Sequence, residues 1–133
     1  MAFVVFDERF KVGHPEIDRQ HSELFDAVNR LHDAMIAGHG RAEVARVLVF
    51  LRNYTVHHFQ TEERFMRESA YPAYARHKAI HDDLTKKVLE LERELGSAGG
   101  TLSIATMNFL KDWLAHHIGG EDHLLADHLR PAR

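Results

Sequence analysis

Apolar residues recur along most of the chain at the three- and four-residue spacing of amphipathic helices, and the alternation typical of strands is weak. Short breaks rich in glycine or proline separate four such segments: GHGR at 38–41, YPAY at 71–74 and GSAGG at 96–100. Short connections between long helices favour antiparallel neighbours. The pattern therefore predicts an all-α fold, an antiparallel up-down-up-down four-helix bundle.

The chain has 133 residues, which is enough for one domain and too few for two. We expect residues 1–17 to form an extended N-terminal arm packed across a bundle of residues 18–130. Together they would make a single domain over residues 1–133. The expected N-caps are Asp18 for the first helix and Thr101 or Ser103 for the fourth.

Composition narrows the functional classes. The net charge is −3 and the basic residues are scattered, so nothing indicates a nucleic-acid surface. Cysteine is absent, which excludes a disulfide framework and a thiolate metal site. The N-terminal apolar run covers only residues 2–6, and no run approaches the length of a membrane span. We expect a soluble, cytoplasmic protein.

Histidine is far more abundant than usual, with 12 residues spread along the chain. It is the commonest metal-ligating side chain. Because each residue turns a helix by about 100°, the helical angle separates adjacent histidines. In the second segment His58 and Glu62 lie in the middle of the apolar face, whereas His57 and Glu63 fall on the flank or outside it. We therefore expect only the first two to point inward.

The other three segments also place histidine on their apolar faces. His77 and His81 are four residues apart and share one face of the third helix. His117 is central on the fourth helix, with His116 on its flank, and His21 lies on the apolar face of the first. An antiparallel bundle brings the starts of the first and third helices to the ends of the second and fourth. All of these inward groups would then meet at one end.

A lone histidine on an apolar face is usually a structural core residue, but five histidines and a glutamate at one level are different. Burying them without partners would cost several kcal/mol, whereas a shared metal site would satisfy all of them. We therefore predict a metal site. The remaining histidines are expected at the surface or rim: His14, His32, His39, His57, His116, His123 and His128.

The ligand types narrow the choice of metal. Five imidazoles and a carboxylate exceed what one tetrahedral zinc requires, which favours two first-row metal ions. Ferritin-like di-iron proteins use Glu-x-x-His motifs. This sequence contains none, which argues against that class.

Four motifs in this order and spacing resemble those of bacteriohemerythrins: IDRQH at 17–21, HFQTEE at 58–63, HKAIH at 77–81 and HIGGED at 117–122. The resemblance runs from Val12 to the end of the fourth helix. It implies a helical bundle that holds a non-haem di-iron centre and binds O₂ reversibly. An oxo or hydroxo group would bridge the two iron ions, and O₂ would bind at an open position on one of them.

The resemblance also implies a ligand set, which is His21, His58, Glu62, His77, His81, His117 and Asp122. The three histidines of the third and fourth helices would hold one iron, and the two histidines of the first and second helices the other. The two carboxylates would bridge them. An apolar O₂ pocket is expected from Leu24, Phe59, Trp113, Leu114 and Ile118. For Phe59 and Ile118, plain core packing is an equally good interpretation.

One ligand is not supported by helical periodicity. Asp122 lies five residues after His117, about 140° away on a regular helix, and Glu121 would align better. Periodicity alone favours Glu121, whereas the resemblance favours Asp122. Gly119 and Gly120 weaken the helix at this point and would permit a π-bulge that brings Asp122 inward.

We therefore expect reversible O₂ binding by a carrier, storage or delivery protein rather than an enzyme, with no catalytic residues. The alternatives are a di-iron enzyme or detoxifier that handles peroxide or nitric oxide, an O₂ sensor, and a bundle that holds zinc or no metal. The expected partners are O₂ and an oxygen-using enzyme, with no nucleic acid and no membrane span. The sequence leaves the oligomeric state open, with a monomer favoured.

Overall fold

A computed structural model describes residues 3–38, 41–96 and 104–130 of the chain. Its helices are a short 3-10 helix Glu8–Phe10, α1 Pro15–Ile36, α2 Arg41–Glu68, α3 Tyr74–Gly96, α4 Ile104–Gly119 and α5 Glu121–Leu129. The described residues contain no strand. The predicted all-α four-helix bundle is confirmed, with α4 and α5 together forming its fourth member.

The bundle core is built from the apolar stripes that the sequence pattern predicts. In α1 the residues Ile17, Leu24, Val28 and Leu31 are at most 3% exposed, at spacings of three, four and seven. Helix α2 packs against both α1 and α3, and α4 packs against α1. No helix in the described ranges is both long and apolar enough to cross a membrane.

Helix α1 begins earlier than expected. Its first residue is Pro15, and His14 is the N-cap, with its ring Nδ1 accepting the Ile17 backbone N–H at 3.4 Å. Proline suits this position because its fixed φ is helical and it needs no N–H partner there. The predicted N-cap, Asp18, was wrong. Its carboxylate instead accepts the backbone N–H groups of Val12 at 2.7 Å and Gly13 at 3.2 Å.

The N-terminal segment packs on α1, but it is not uniformly extended, because it contains the 3-10 helix. The rings of Phe6 and Phe10 pack edge-on against Phe25, with centroids 5.4 and 5.1 Å away. The Asn29 side chain exchanges two hydrogen bonds with the Val4 backbone at 2.8 and 2.9 Å. The suggested caps of the fourth helix, Thr101 and Ser103, lie outside the described residues.

The fourth member of the bundle is interrupted at Gly120. Helix α4 ends at Gly119, and α5 begins one residue after Gly120, whose φ is −118° and ψ −84°. The predicted π-bulge was wrong, since the helix breaks here instead. A Cβ on Gly120 would lie 3.0 Å from the His116 carbonyl oxygen, closer than side chains normally allow. The missing side chain therefore permits this tight break, which changes the phase of α5 relative to α4.

Candidate metal centre

Seven side chains from all members of the bundle meet at one end of the core: His21, His58, Glu62, His77, His81, His117 and Asp122. None of them is more than 3% exposed. Helices α2 and α3 each supply two of them at a spacing of four residues, which places them one turn apart on one face. These are the seven residues that the resemblance implies as ligands, and their role as ligands stays a prediction.

The candidate ligand atoms fall into two groups that share both carboxylates. One group contains the histidines of α3 and α4, and the other those of α1 and α2. Within each group, one atom from every member lies within 4.8 Å of the others. This three-plus-two division of the histidines is the arrangement expected for two metal ions with bridging carboxylates.

Glu62 faces both groups with different oxygens. Its Oε1 lies 3.3 Å from His77 Nε2 and 3.0 Å from His81 Nε2. Its Oε2 lies 3.4 Å from His21 Nε2 and 3.2 Å from His58 Nε2. The carboxylate therefore lies across the centre, with one oxygen toward each group.

Asp122 spans the centre in the same way. Its Oδ1 is 3.0 Å from His77 Nε2 and 3.1 Å from His117 Nε2, and its Oδ2 is 2.9 Å from His21 Nε2. Glu121 lies at the edge, with its carboxylate 3.9 Å from His117 Nδ1. The break at Gly120 explains this placement, because it turns Asp122 rather than Glu121 toward the core.

Several buried polar atoms in this cluster lack hydrogen-bond geometry to any partner among the described residues. They are both ring nitrogens of His21, His58 Nε2, Glu62 Oε2, His117 Nδ1 and both Asp122 carboxylate oxygens. Two imidazole nitrogens, those of His81 and His117, face each other at 3.1 Å. Unpaired buried groups are costly, and nitrogen and carboxylate donors suit first-row metals. The donor set therefore fits two iron ions.

Without metal, protonated histidines would stabilise this cluster by pairing with its two carboxylates. Burial alone would lower the pKa of His21 and His77, but hydrogen bonds to Asp122 and Glu62 raise both to about 9. Burial lowers the pKa of His58 despite the nearby Glu62. Burial would raise the pKa of both carboxyls, yet the surrounding imidazoles hold each well below its ordinary value. Metal binding must therefore displace protons from the histidines.

A second layer of polar residues contacts the cluster, and sequence periodicity missed it. Glu63 was expected at the flank or outside, but it is only 9% exposed, and its Oε2 lies 3.0 Å from His81 Nδ1. Its long side chain reaches around the flank of α2 toward α3. Gln20 is 2% exposed and contacts His58 Nδ1 at 2.7 Å. Two features of the sequence pointed to Gln20, namely its position directly before His21 and its place in the IDRQH motif.

The remaining histidines lie outside the cluster. His57 and His116 are exposed, His14 caps α1, and His32 stacks on Phe3 with ring centroids 4.1 Å apart. The two histidines of α5 contact backbone carbonyl groups, His123 that of Ile118 at 2.7 Å and His128 that of Ser69 at 3.0 Å. His39 lies outside the described residues.

An apolar cavity adjoins the centre. It offers about 20 Å³ to the centre of a water-sized sphere, and His21, His58, His117 and Asp122 form its polar end. All five predicted pocket residues line it, namely Leu24, Phe59, Trp113, Leu114 and Ile118. Further lining residues were not predicted: Val28, Leu51, Thr55, Leu84, Val88 and Leu110. Four of the predicted residues also belong to the main core, so packing and lining the cavity are compatible roles.

Fold and site together define a class, that of helical-bundle proteins with a histidine- and carboxylate-rich site for two metal ions. Residues 12–129 match the family described as the hemerythrin HHE cation binding domain. The bacteriohemerythrin of Stenotrophomonas maltophilia is 35% identical over 98% of this chain and 84% of its own length. That of Methylococcus capsulatus is 37% identical over 80% of this chain and 81% of its own.

A crystal structure of wild-type hemerythrin superposes with a TM-score of 0.91 at 33% identity, covering 96% of this chain and 98% of that one. Sequence and structure therefore agree over nearly the whole chain. The chain belongs to the hemerythrin family, as the four motifs suggested.

Proposed function

We propose that this protein binds O₂ reversibly at a non-haem di-iron centre and acts as an O₂ carrier, store or donor. The observation that carries the proposal is the pairing of two buried ligand groups, with shared carboxylates, beside a small apolar cavity. Membership of the hemerythrin family supports it independently. Family membership also supports two iron ions, rather than zinc, as the cofactor.

The division of the histidines suggests which residues hold each ion. His77, His81 and His117 would hold one iron, and His21 and His58 the other. The carboxylates of Glu62 and Asp122, which face both groups, would bridge the pair. When bound, two ferrous ions supply the electrons on which O₂ draws as it binds.

The protein's own contribution is to orient the imidazole rings and to keep water away from them. Phe59 stacks on His81 with centroids 3.8 Å apart and planes within 5°, and Trp113 stacks on His117 at 4.5 Å. These contacts restrict ring rotation, so the nitrogens are in place before metal or O₂ arrives. The two bridging carboxylates also bring negative charge next to the ions, which lowers the cost of burying their positive charge.

The small volume of the cavity favours the binding of O₂ over the conversion of a larger organic substrate. Because the centre of a water-sized sphere can move through about 20 Å³, the cavity accommodates a molecule near the size of water. Its walls are apolar apart from the ligand end and Thr55, whose hydroxyl donates to the Leu51 carbonyl at 2.7 Å. Such a wall excludes water and offers no proton to bound O₂, which favours release of O₂ over loss of hydrogen peroxide.

Oxygen uptake by the anaerobically reduced, iron-loaded protein tests this proposal. We expect uptake stoichiometric with the chain, full release under argon, and no accumulation of hydrogen peroxide over repeated cycles. Many turnovers of peroxide or nitric oxide with a reductant, without O₂ release, would instead support the detoxifying enzyme and contradict the carrier. An O₂ sensor would require in addition a partner whose binding changes with oxygenation.

Partner and location are further proposals. We propose a cytoplasmic protein that supplies O₂ to an oxygen-using enzyme, since a cysteine-free chain suits a reducing compartment. Cell fractionation with an antibody to the protein tests the location. Measuring the O₂ consumption of candidate oxygenases with and without the loaded protein tests the partner.

A further inference from the structure

A short chain of hydrogen bonds leads from a backbone carbonyl to one of the candidate ligands. The Thr61 hydroxyl lies 3.1 Å from the His57 carbonyl, one helical turn earlier in α2. Gln20 Nε2 lies 3.3 Å from Thr61 Oγ1, and Gln20 Oε1 lies 2.7 Å from His58 Nδ1. Gln20 is 2% exposed, Thr61 8% and His58 1%, so water competes little for the two buried bonds that Gln20 makes.

The donor and the acceptor of each hydrogen bond in this series follow from the bond to the His57 carbonyl. A carbonyl oxygen can only accept, so Thr61 donates its single proton to His57. The Thr61 oxygen must then accept from the Gln20 amide nitrogen, which turns the amide oxygen toward His58. His58 must therefore carry its proton on Nδ1. Its Nε2 is left as a lone pair facing Glu62 at 3.2 Å, which is the form a metal requires.

We propose that Gln20 and Thr61 are positioning residues that hold His58 in the tautomer and orientation needed for metal binding. This inference rests on the proposed di-iron site. Histidine ligands are generally held by a hydrogen bond to their second nitrogen, and losing that bond typically weakens metal binding or activity by about 10- to 100-fold. Neither residue is among the seven candidate ligands or the predicted cavity wall.

The two groups of histidines differ in the charge of the residue that faces the ring Nδ1, the nitrogen turned away from the centre. His81 faces the Glu63 carboxylate at 3.0 Å, whereas His58 faces a neutral amide. A carboxylate partner makes an imidazole the more basic ligand and favours the ferric ion beside it. Both histidines of the His58 group line the cavity, whereas only His117 of the three histidines in the other group does. The neutral amide of Gln20 therefore favours the ferrous ion on the side where O₂ arrives, and so favours O₂ release over oxidation.

Loss of iron from the loaded protein to an excess of chelator tests the positioning role. Thr61→Val should speed iron loss by about 10-fold or more, since the Gln20 amide loses the partner that orients it. Thr61→Ser, which keeps the hydroxyl, should restore the wild-type rate. The matched control is Thr85→Val, because Thr85 donates to the His81 carbonyl at 3.0 Å in the same way, while the His81 ring is held by Glu63.

The outcomes of this experiment are distinct. Faster loss in Thr61→Val with rescue by Thr61→Ser supports the proposal, provided that Thr85→Val resembles the wild type. Equal rates in Thr61→Val and Thr85→Val would overturn it. The assay uses the oxidised protein and needs no O₂ binding. A wild-type protein that holds two iron ions but does not release O₂ would contradict the proposed function and leave this test intact.

Gln20→Glu tests the role of charge at nearly constant shape. We expect its di-iron midpoint potential to fall, by about 59 mV for each tenfold change in the ratio of ferric to ferrous binding, and spontaneous oxidation to accelerate. A change that acted only on folding would move the unfolding midpoint but not the potential. A potential equal to that of the wild type, in a variant with full iron content, would overturn the assigned role of the neutral amide.

Discussion

Asp122 reaches the centre because the helix breaks between α4 and α5. Substitutions at the two adjacent glycines, Gly119 and Gly120, test this explanation. A methyl group on Gly120 would lie 3.0 Å from the His116 carbonyl oxygen, whereas one on Gly119 would meet nothing within 4 Å beyond the backbone of its own helix. Because the obstacle at Gly120 is backbone, it cannot move aside like a flexible side chain. We therefore predict that Gly120→Ala disturbs the site and that Gly119→Ala does not.

The magnitude follows from the contact. Both substitutions restrict the unfolded chain by a similar amount, about 0.4–1 kcal/mol, which cancels when the two variants are compared. Gly120 is exposed, but the added carbon would press on backbone, and forcing a carbon against neighbours that cannot move aside costs about 1–3 kcal/mol. If α5 shifts to relieve this strain, Asp122 moves away from histidine nitrogens now 2.9–3.1 Å from its oxygens. The same free energy, expressed in metal binding, corresponds to about 5- to 150-fold weaker affinity.

Two assays measure this effect. Urea denaturation should show Gly120→Ala unfolding with a free energy about 1–3 kcal/mol below that of Gly119→Ala. Iron content after a chelator challenge should fall in the first variant and match the wild type in the second. Equal stability and equal iron retention in the two variants would refute the link between the break and the position of Asp122.

Three further predictions concern the centre itself. His58→Ala should lose iron while His57→Ala keeps it, because only His58 lies in the cluster; equal iron content would contradict the helical-face argument. In the metal-free protein the pKa of His21 and His77 is raised from 6.5 to about 9, so their contribution to stability is full below pH 6.5 and is lost as the pH rises through 9. Metal loading near neutral pH should therefore release protons, which a pH indicator detects in weakly buffered solution. The apparent metal affinity should rise with pH up to about 9. Metal loading without proton release would argue against these raised pKa values. Removal of iron by a chelator should lower the thermal unfolding midpoint, since the unpaired atoms of the cluster lose their shared partner; an unchanged midpoint would argue against a structural contribution from the metal.

Much of the fold and site follows from helical periodicity. Rotation by about 100° per residue separates His58 from His57 and His117 from His116, and the structure buries the inner member of each pair. The antiparallel order of the helices then places the inward-facing histidines at the same end of the bundle. Both steps work because a regular helix and a short connection leave little freedom in where a side chain lies.

Periodicity fails where the helix is irregular or the side chain is long. Asp122 faces inward because a break at Gly120, rather than the π-bulge that the adjacent glycines suggested, changes the helical phase. Glu63 leaves its expected flank because its flexible side chain reaches His81 on a neighbouring helix. Gln20 and Thr61 act through a hydrogen-bond chain between two helices, which depends on a register that single-helix angles do not contain.

The central claim is that one chain holds two iron ions that bind and release O₂. Its most direct test is the absorption spectrum of the purified protein, recorded with iron quantitation while O₂ is admitted and removed. The proposed function predicts two iron ions per chain and a visible band that appears with O₂, disappears under argon and returns over several cycles. A protein that holds both irons but shows no O₂-dependent band, or that carries zinc after growth in iron-rich medium, would contradict it.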